Sequence, residues 1–147
     1  MTSGYGPRMR RVLSAFLVVA LAGCLWRSYG DILTVHVTVL IQMVDKLSAL
    51  AEAGRTPAAA DMAEFNYPAQ RGRTFLRQFE RDAGRESYRA FAALLDRYQA
   101  LLRQVDAARV SEADWRALRP ALAQEQRALA EQAAAIGRHR EQERRQQ

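Results

Sequence analysis

The side chains that most often do chemistry are few in this sequence of 147 residues. There is one cysteine, Cys24, and there are two histidines, His36 and His139. Neither histidine has a histidine, cysteine or carboxylate at the spacing of a metal site, so we expect no metal. Met43 and His139 would suit haem iron if they met across a bundle, but no Cys-x-x-Cys-His is present and methionine more often fills core gaps. The sequence therefore predicts no cofactor, and His36 is interpreted as a residue flanking an apolar helix face.

Motifs for catalysis are also missing. The sequence has no nucleophile-elbow glycine pattern, no phosphate-binding glycine loop and no paired carboxylates on an apolar face, so we expect a protein that is not an enzyme. The formal net charge of +6 includes three arginines in residues 1–23, where there is no acid. The remaining chain has 19 basic and 16 acidic residues and no nucleic-acid-binding motif. We therefore expect no nucleic-acid partner.

The first 24 residues have the layout of an export signal. Residues 8–11 are Arg-Met-Arg-Arg, and residues 12–21 are apolar except for Ser14. This apolar run is too short to span a bilayer core of about 30 Å as a helix. The segment ends with Leu21, Ala22, Gly23 and Cys24. A single cysteine in an exported chain cannot form an internal disulfide, so another use of its thiol is expected.

Residues 21–24, which follow a basic start and an apolar run, resemble the lipobox of bacterial lipoproteins. The resemblance implies that the thiol of Cys24 is diacylated, that the chain is cleaved after Gly23, and that the new amino group is acylated. Two or three acyl chains hold a protein on a membrane far more firmly than one. The alternative is an ordinary secreted protein whose signal happens to contain a cysteine. Met9 is an alternative start of the signal.

The residue after the cysteine bears on which membrane is reached. In lipoprotein families an aspartate at that position favours retention in the inner membrane, whereas this sequence has Leu25. The resemblance therefore favours the outer membrane, with the domain facing the periplasm, over the inner membrane.

One charged pattern stands out in the rest of the chain. Arginines recur every four residues from residue 73 to residue 89, and three of them precede Gly84 on one helical segment: Arg73, Arg77 and Arg81. Such a stripe could contact anionic lipid, lipopolysaccharide phosphate or an acidic partner. The alternative is a solvated face whose arginines pair with the neighbouring carboxylates Glu80, Asp82 and Glu86.

Hydrophobic periodicity predicts a first helix over residues 29–53, ended by Gly54 and Pro57. Six residues spaced four and three apart form one face: Leu33, Val37, Leu40, Val44, Leu47 and Ala51. Residues 34–39 alternate like a β-strand and are rich in β-branched side chains. The helical spacing continues well past them, however, and this favours a helix.

The next segment is predicted in two pieces. Thr56 resembles an N-cap before Pro57, and that piece ends near Phe65. A second helix then restarts at Pro68. Its predicted inner face consists of Ala69, Gly72, Leu76, Phe79 and Ala83, with the glycine allowing another helix to pass close.

Two further segments follow Gly84, and the first of them has the clearest pattern in the chain. The first has an apolar stripe of Tyr88, Phe91, Leu95, Tyr98, Leu102 and Val105, widened by Leu94 and Leu101. Ser111 and Asp114 resemble a capping box at the start of the second. The stripe of that helix consists of Trp115, Leu118, Leu122, Leu129, Ala133 and Ile136. Pro120 is expected to kink or split it.

Four amphipathic segments joined by short breaks can bury their stripes only against one another. The sequence therefore predicts an all-α fold, a small antiparallel bundle of about four helices behind the signal peptide. The predicted organisation is a signal peptide in residues 1–23, a lipidated tether in 24–30, the bundle in 31–140 and a disordered polar tail in 141–147.

These features favour a lipoprotein tethered to the membrane through Cys24. We expect it to act as a binding, assembly or scaffolding component of the cell envelope, with a protein partner that the sequence does not identify. The alternative is a carrier of a small hydrophobic ligand or cofactor. Its pocket would lie between the helices and be lined by Phe75, Phe79, Tyr88, Phe91 and Trp115.

Overall fold

Amphipathic segments of the sequence form helices in the structure, a computed structural model that describes residues 28–146. These residues are 87% helical and contain no strand. The helices are α1 (Tyr29–Glu52), α2 (Ala59–Gln78), α3 (Glu86–Ala108) and α4 (Glu112–Arg145), with a short 3-10 helix at Glu80–Asp82. The chain from Leu33 onward forms one compact unit. The predicted all-α helical bundle is confirmed.

The end of α1 follows directly from the sequence. The N–H groups of Gly54 and Arg55 donate to the carbonyl oxygens of Ala51 and Leu50, at 3.0 and 2.9 Å. This pair of bonds is a Schellman motif, which needs a left-handed residue at the position of Gly54. The φ angle of Gly54 is +71°. The strand-like alternation over residues 34–39 lies inside the helix, as the longer apolar spacing predicts.

Helix α2 differs from its prediction in two ways. It begins at Ala59, so Thr56 is not its N-cap; the N–H of Ala58 donates instead to Asp61 Oδ2 at 2.8 Å. The helix also runs unbroken through Pro68, where a break was expected. Proline removes one backbone hydrogen bond from a helix, but Pro68 is buried, so packing of its ring offsets part of that loss.

The glycine of α2 has the predicted role. A Cβ atom built on Gly72 would lie 3.1 Å from Leu95 Cδ1 and 3.3 Å from Phe91 Cζ, both on α3. The absence of a side chain therefore lets α3 pass close to α2. Further along the same predicted inner face, Phe79 is only half-buried and Ala83 is exposed, because the helix ends at Gln78.

The start of α4 is as predicted and its course is not. Ser111 is the N-cap, and its Oγ accepts from the N–H of Asp114 at 3.4 Å. The helix is not split at Pro120. It continues to Arg145, so residues 141–145, which were assigned to a disordered tail, are helical. The reason lies 56 residues away, where Glu143 accepts hydrogen bonds from both the N–H and the Oγ of Ser87.

Contacts between the helices show how they are arranged. Helix α1 is antiparallel to α2, because Lys46 pairs with Glu64 whereas His36 contacts Phe75. Helices α2 and α3 are antiparallel by the same reasoning, since the Tyr98 hydroxyl donates to the Phe65 carbonyl and the Tyr88 hydroxyl to that of Leu76.

Helix α4 contacts both α3 and α1, so the four helices form a closed ring. Arg97 and Ser87 of α3 bond to Glu125 and Glu143 of α4. The side chain of Gln126 donates to Asp45 of α1 at 2.7 Å. The helices therefore alternate in direction around the bundle, so that α2 and α4 are diagonal neighbours.

The core consists of the predicted stripes with few exceptions. Val37, Tyr88, Leu118 and Ala133 are half-buried rather than buried. The largest fully buried side chains are those of Leu33, Leu40, Val44, Leu47, Phe65, Phe75, Phe91, Leu94, Leu95, Tyr98, Leu129 and Ile136.

Candidate functional site

The predicted lipidation site lies outside the described residues. This holds for Cys24 and for Leu21, Ala22 and Gly23 before it. Ser28, the first described residue, lies four residues after Cys24, and α1 starts at Tyr29. The Oγ of Ser28 accepts from the N–H of Asp31 at 3.3 Å and donates to its carboxylate at 2.6 Å. The helix thus begins within the segment 24–30 that the sequence assigned to a tether.

The structure separates the three arginines of the predicted stripe. Arg73 pairs with Asp96 on α3, and its Nε donates to Gln99 Oε1 at 3.1 Å. It therefore ties α2 to α3 and is not a free cation on the surface. Arg77 and Arg81 are exposed, and no carboxylate of the described residues lies within ion-pair distance of either. Only a weak contact of Arg77 to the Thr74 hydroxyl, at 3.4 Å, is present.

Two more arginines lie at the same end of the bundle, on α4. Arg138 is exposed and Arg140 is half-exposed. Neither is within ion-pair distance of a carboxylate among residues 28–146. The sequence prediction missed them because the apolar stripe stops before residue 138. We call Arg77, Arg81, Arg138 and Arg140 the proximal arginines, since they lie at the end of the bundle where α1 starts.

Several other arginines at this end, unlike the exposed Arg71, are paired with carboxylates. Arg85 is 2.6 Å from Asp82 and 3.9 Å from Glu143. Arg89 pairs with Glu86, in agreement with the solvated-face alternative for that part of the pattern. The bonds from Arg144 and Arg145 to Glu141 hold the pKa of that carboxyl below its usual range.

His36 is packed against aromatic rings. Its ring centroid is 5.0 Å from that of Phe75 and 6.1 Å from that of Phe91. Burial of the imidazole, and secondarily the charge of Arg71, lowers the pKa of His36 below 6.5. The neutral ring is therefore favoured in the folded protein at neutral pH. Its position at the edge of the apolar face is the predicted one.

No metal or haem site forms from the chemistry-bearing residues of the described part. No group of three or more His, Cys, Asp and Glu side chains among residues 28–146 is placed to hold a metal ion. Met43 and His139 do not meet. Asp45, beside Met43, bonds to Gln126, and His139 lies thirteen residues further along α4, about 20 Å at 1.5 Å per residue.

The five aromatic residues proposed to line a pocket are not all brought together, because Trp115 lies apart from the others. Phe75 packs between Phe79 and Phe91, at 4.8 and 5.6 Å between ring centroids. Trp115 is buried at the start of α4, at the opposite end of the bundle. Its Nε1 has no hydrogen-bond partner among the described residues. The rings of Phe75 and Phe91 therefore fill the core rather than face a cavity.

A cleft of about 400 Å³ does open between α1 and α4, near the end of α1. Pro120 lies on its wall and cannot donate a backbone hydrogen bond to Arg116. Ala51, Leu122 and Ala123 provide apolar surface. The remaining lining residues are polar or charged: Ser48, Glu52, Arg116, Arg119 and Gln126.

Helix α1 is long and apolar enough to cross a membrane, by length and composition alone. An apolar helix near the N-terminus is weakly compatible with a signal or a membrane anchor. In the bundle the same helix supplies core side chains, including Leu40 and Leu47, which are 1% exposed. A spanning α1 would remove these side chains from the core.

Comparison with family models, with curated proteins and with solved structures finds no match to this chain.

Proposed function

We propose that this protein is a lipid-anchored envelope protein of bacteria that acts by binding, as an assembly or scaffolding component. The observation that carries the proposal is the sequence Leu21-Ala22-Gly23-Cys24 behind a basic and apolar segment. The start of α1 at Tyr29 supports it, because so short a connection would keep a helical bundle close to the membrane. The five residue steps from Cys24 to Tyr29 span at most about 18 Å when extended.

A binding role is supported by where the charges lie. Many ion pairs join neighbouring helices or neighbouring turns, such as Lys46–Glu64 and Arg97–Glu125. The hydrogen bond between Arg97 and Glu125 lowers the pKa of Glu125 and raises the pKa of Arg97, so both side chains stay charged. Other cations, the proximal arginines among them, stay exposed. Side chains of this kind suit contact with a surface or a partner protein better than bond-making chemistry.

The anchor is tested by replacing its nucleophile. In the full chain, Cys24→Ser should abolish labelling by a fatty-acid analogue and leave an uncleaved precursor, since the thiol is the only group that can accept the diacylglycerol. Ser14→Ala, in the apolar run, is the control and should be labelled and cleaved as usual. Mass spectrometry of the N-terminus is the measurement. The proposal fails if the parent and Cys24→Ser give the same unlipidated mature protein.

The proposal also concerns which membrane holds the protein and which protein it binds. Leu25, rather than an aspartate, supports the outer membrane facing the periplasm. Separation of inner and outer membranes tests this, and Leu25→Asp should move the protein toward the inner membrane. A protein that co-purifies in stoichiometric amount would identify the envelope partner.

The second candidate, a carrier of a small hydrophobic ligand, rests on the cleft between α1 and α4. Native mass spectrometry of the purified protein would detect such a ligand. Ala123→Phe, which fills the cleft, should remove it, whereas Ala130→Phe on the exposed side of α4 should not. A mass equal to that of the bare protein in both variants and the parent would count against a carrier.

A further inference from the structure

We propose that the proximal end of the bundle binds anionic phospholipid headgroups through Arg77, Arg81, Arg138 and Arg140. The inference rests on the proposed lipid anchor at Cys24 and adds a second contact with the same membrane. The proposed surface is formed by residues near the ends of α2 and α4, whereas the sequence predicted an arginine stripe on a single helix.

The four arginines lie at one level of the bundle. The Tyr88 hydroxyl bonds to the Leu76 carbonyl, and Ser87 bonds to Glu143, so the end of α2 and the end of α4 both lie beside the start of α3. Arg77 follows Leu76 directly, and Arg140 precedes Glu143 by three residues, about 5 Å along the helix. The cations are therefore gathered at one end although they are about sixty residues apart in the chain.

Their distribution around the bundle favours contact with the end rather than a side. Arg77 is on α2, whereas Arg138 and Arg140 are on α4, and these helices are diagonal in the ring. A partner lying along one side of the bundle would reach one of the two helices. A broad surface that meets the end of the bundle reaches both. A membrane is such a surface, and Leu33, the residue of the bundle unit nearest in sequence to Cys24, lies at the same end.

The charge balance of the two halves agrees with this orientation. In the proximal half (residues 33–42, 69–96 and 129–146) there are ten arginines and seven carboxylates. In the distal half (residues 43–68 and 97–128) there are eight basic residues and eight carboxylates. Residues 33–146 therefore have a net charge of +3, and all of it lies in the half that would face the membrane.

The proximal arginines are available to anionic headgroups because no carboxylate among the described residues neutralises them. Arg73, Arg85 and Arg89 are already paired with carboxylates, and these pairs would be lost on binding a phosphate. The proximal arginines have no such pair within the described residues. Each arginine that reaches an anionic surface should raise the population of the docked state about fivefold at low salt. Four of them would orient a domain that the anchor already holds nearby.

The test uses the full lipidated chain in vesicles that contain a headgroup-quencher lipid, with or without anionic phospholipid. A fluorophore is attached at Gly84→Cys, in the proximal loop, or at Val110→Cys, in the distal one. Both sites are open, since a Cβ atom at Gly84 would meet no atom within 4 Å and Val110 is 79% exposed. We expect strong quenching at residue 84 only, only with anionic lipid, and much weaker quenching at about 1 M salt, where the Debye length is about 3 Å.

The matched variants remove equal charge from the two ends. Changing all four proximal arginines to Gln should abolish the salt-sensitive quenching. Changing Arg55, Arg103, Arg119 and Arg127, in the distal half, should leave it intact. Vesicle flotation separates the two proposals. Failure to float refutes the lipid anchor and the inference with it. If the protein floats but the quenching does not depend on salt, on anionic lipid or on the proximal arginines, this inference alone is refuted. An acidic protein is then the partner to seek.

Discussion

Two helix interfaces of this bundle differ in how closely their backbones approach. Between α2 and α3, Gly72 lets Leu95 and Phe91 reach the helix surface, and two tyrosine hydroxyls bond to backbone carbonyls across the contact. Between α1 and α4 a cleft of about 400 Å³ remains, crossed by the bond from Gln126 to Asp45. Close packing gains dispersion energy from every atom pair, whereas the lining of a gap forfeits it. We therefore expect α2–α3 to be the stable interface and α1–α4 the one that opens first.

The largest expected effect is at the centre of the α2–α3 interface. Leu95 is 0% exposed, so Leu95→Ala removes buried methyl groups and leaves a cavity beside Gly72. We expect a loss of about 2–5 kcal/mol in the free energy of unfolding. Chemical denaturation followed by circular dichroism measures it. Val110→Ala, at an exposed site, is the control. Equal free energies of unfolding for the two variants would contradict the assigned core.

The two prolines inside helices should respond differently to replacement. Pro120→Ala restores a backbone donor at the edge of the cleft and should stabilise the protein by about 1–2 kcal/mol, after the entropy gained by the unfolded chain is subtracted. Pro68→Ala restores a donor too, but it deletes a buried ring, so its gain should be smaller or negative. Thermal melts of both variants test this, and a larger gain at residue 68 would reverse the comparison.

A pair of glycine replacements tests the close approach itself. In Gly137→Ala, on exposed α4, the new methyl group meets no atom within 4 Å, so helix propensity should stabilise by up to about 1 kcal/mol. Gly72→Ala gains the same propensity but presses on Leu95 and Phe91. Overpacking of this kind typically costs about 1–3 kcal/mol, so we expect a net loss of roughly 1 kcal/mol. Stabilisation by both replacements would mean that the interface yields easily.

The smallest expected effect is the pH dependence of the free energy of unfolding that comes from His36 of α1, which contacts Phe75 and Phe91. Because burial lowers the pKa of His36, the unfolded chain takes up its proton first as the pH falls below 6.5. The free energy of unfolding should therefore decrease between about pH 7 and pH 5, above the range in which carboxylates such as Glu125 titrate. His36→Phe should flatten the profile in that window. An unchanged slope would show that other groups produce it.

The fold could be predicted from the sequence because its strongest signals are local. The stripe from Phe91 to Val105 and the stop at Gly54 depend on residues within a few turns of each other. The errors concern contacts between distant residues. Pro68 continues a helix because its ring is buried, Glu143 extends α4 through Ser87, and Arg73 leaves the predicted stripe for Asp96. None of these partners is adjacent in sequence.

The candidate surface was predicted only in part for the same reason. Arg77 and Arg81 were singled out by their spacing, and they are exposed. Arg138 and Arg140 have no apolar stripe around them that would mark a helix, so their segment resembled a frayed end. Only the fold of the chain brings them to the level of α2's last turn.

The contact between α1 and α2 at Lys46 has a practical consequence. Lys46 is the sole lysine of the chain, and its ammonium group lies 2.5 Å from Glu64 and 6.0 Å from the centre of the Phe65 ring. If the amino group of Cys24 is acylated, Lys46 is the only primary amine of the mature protein. An amine-directed reagent would then modify one known position. Its rate of reaction would report, inside intact cells, how often the ion pair between Lys46 and Glu64 opens.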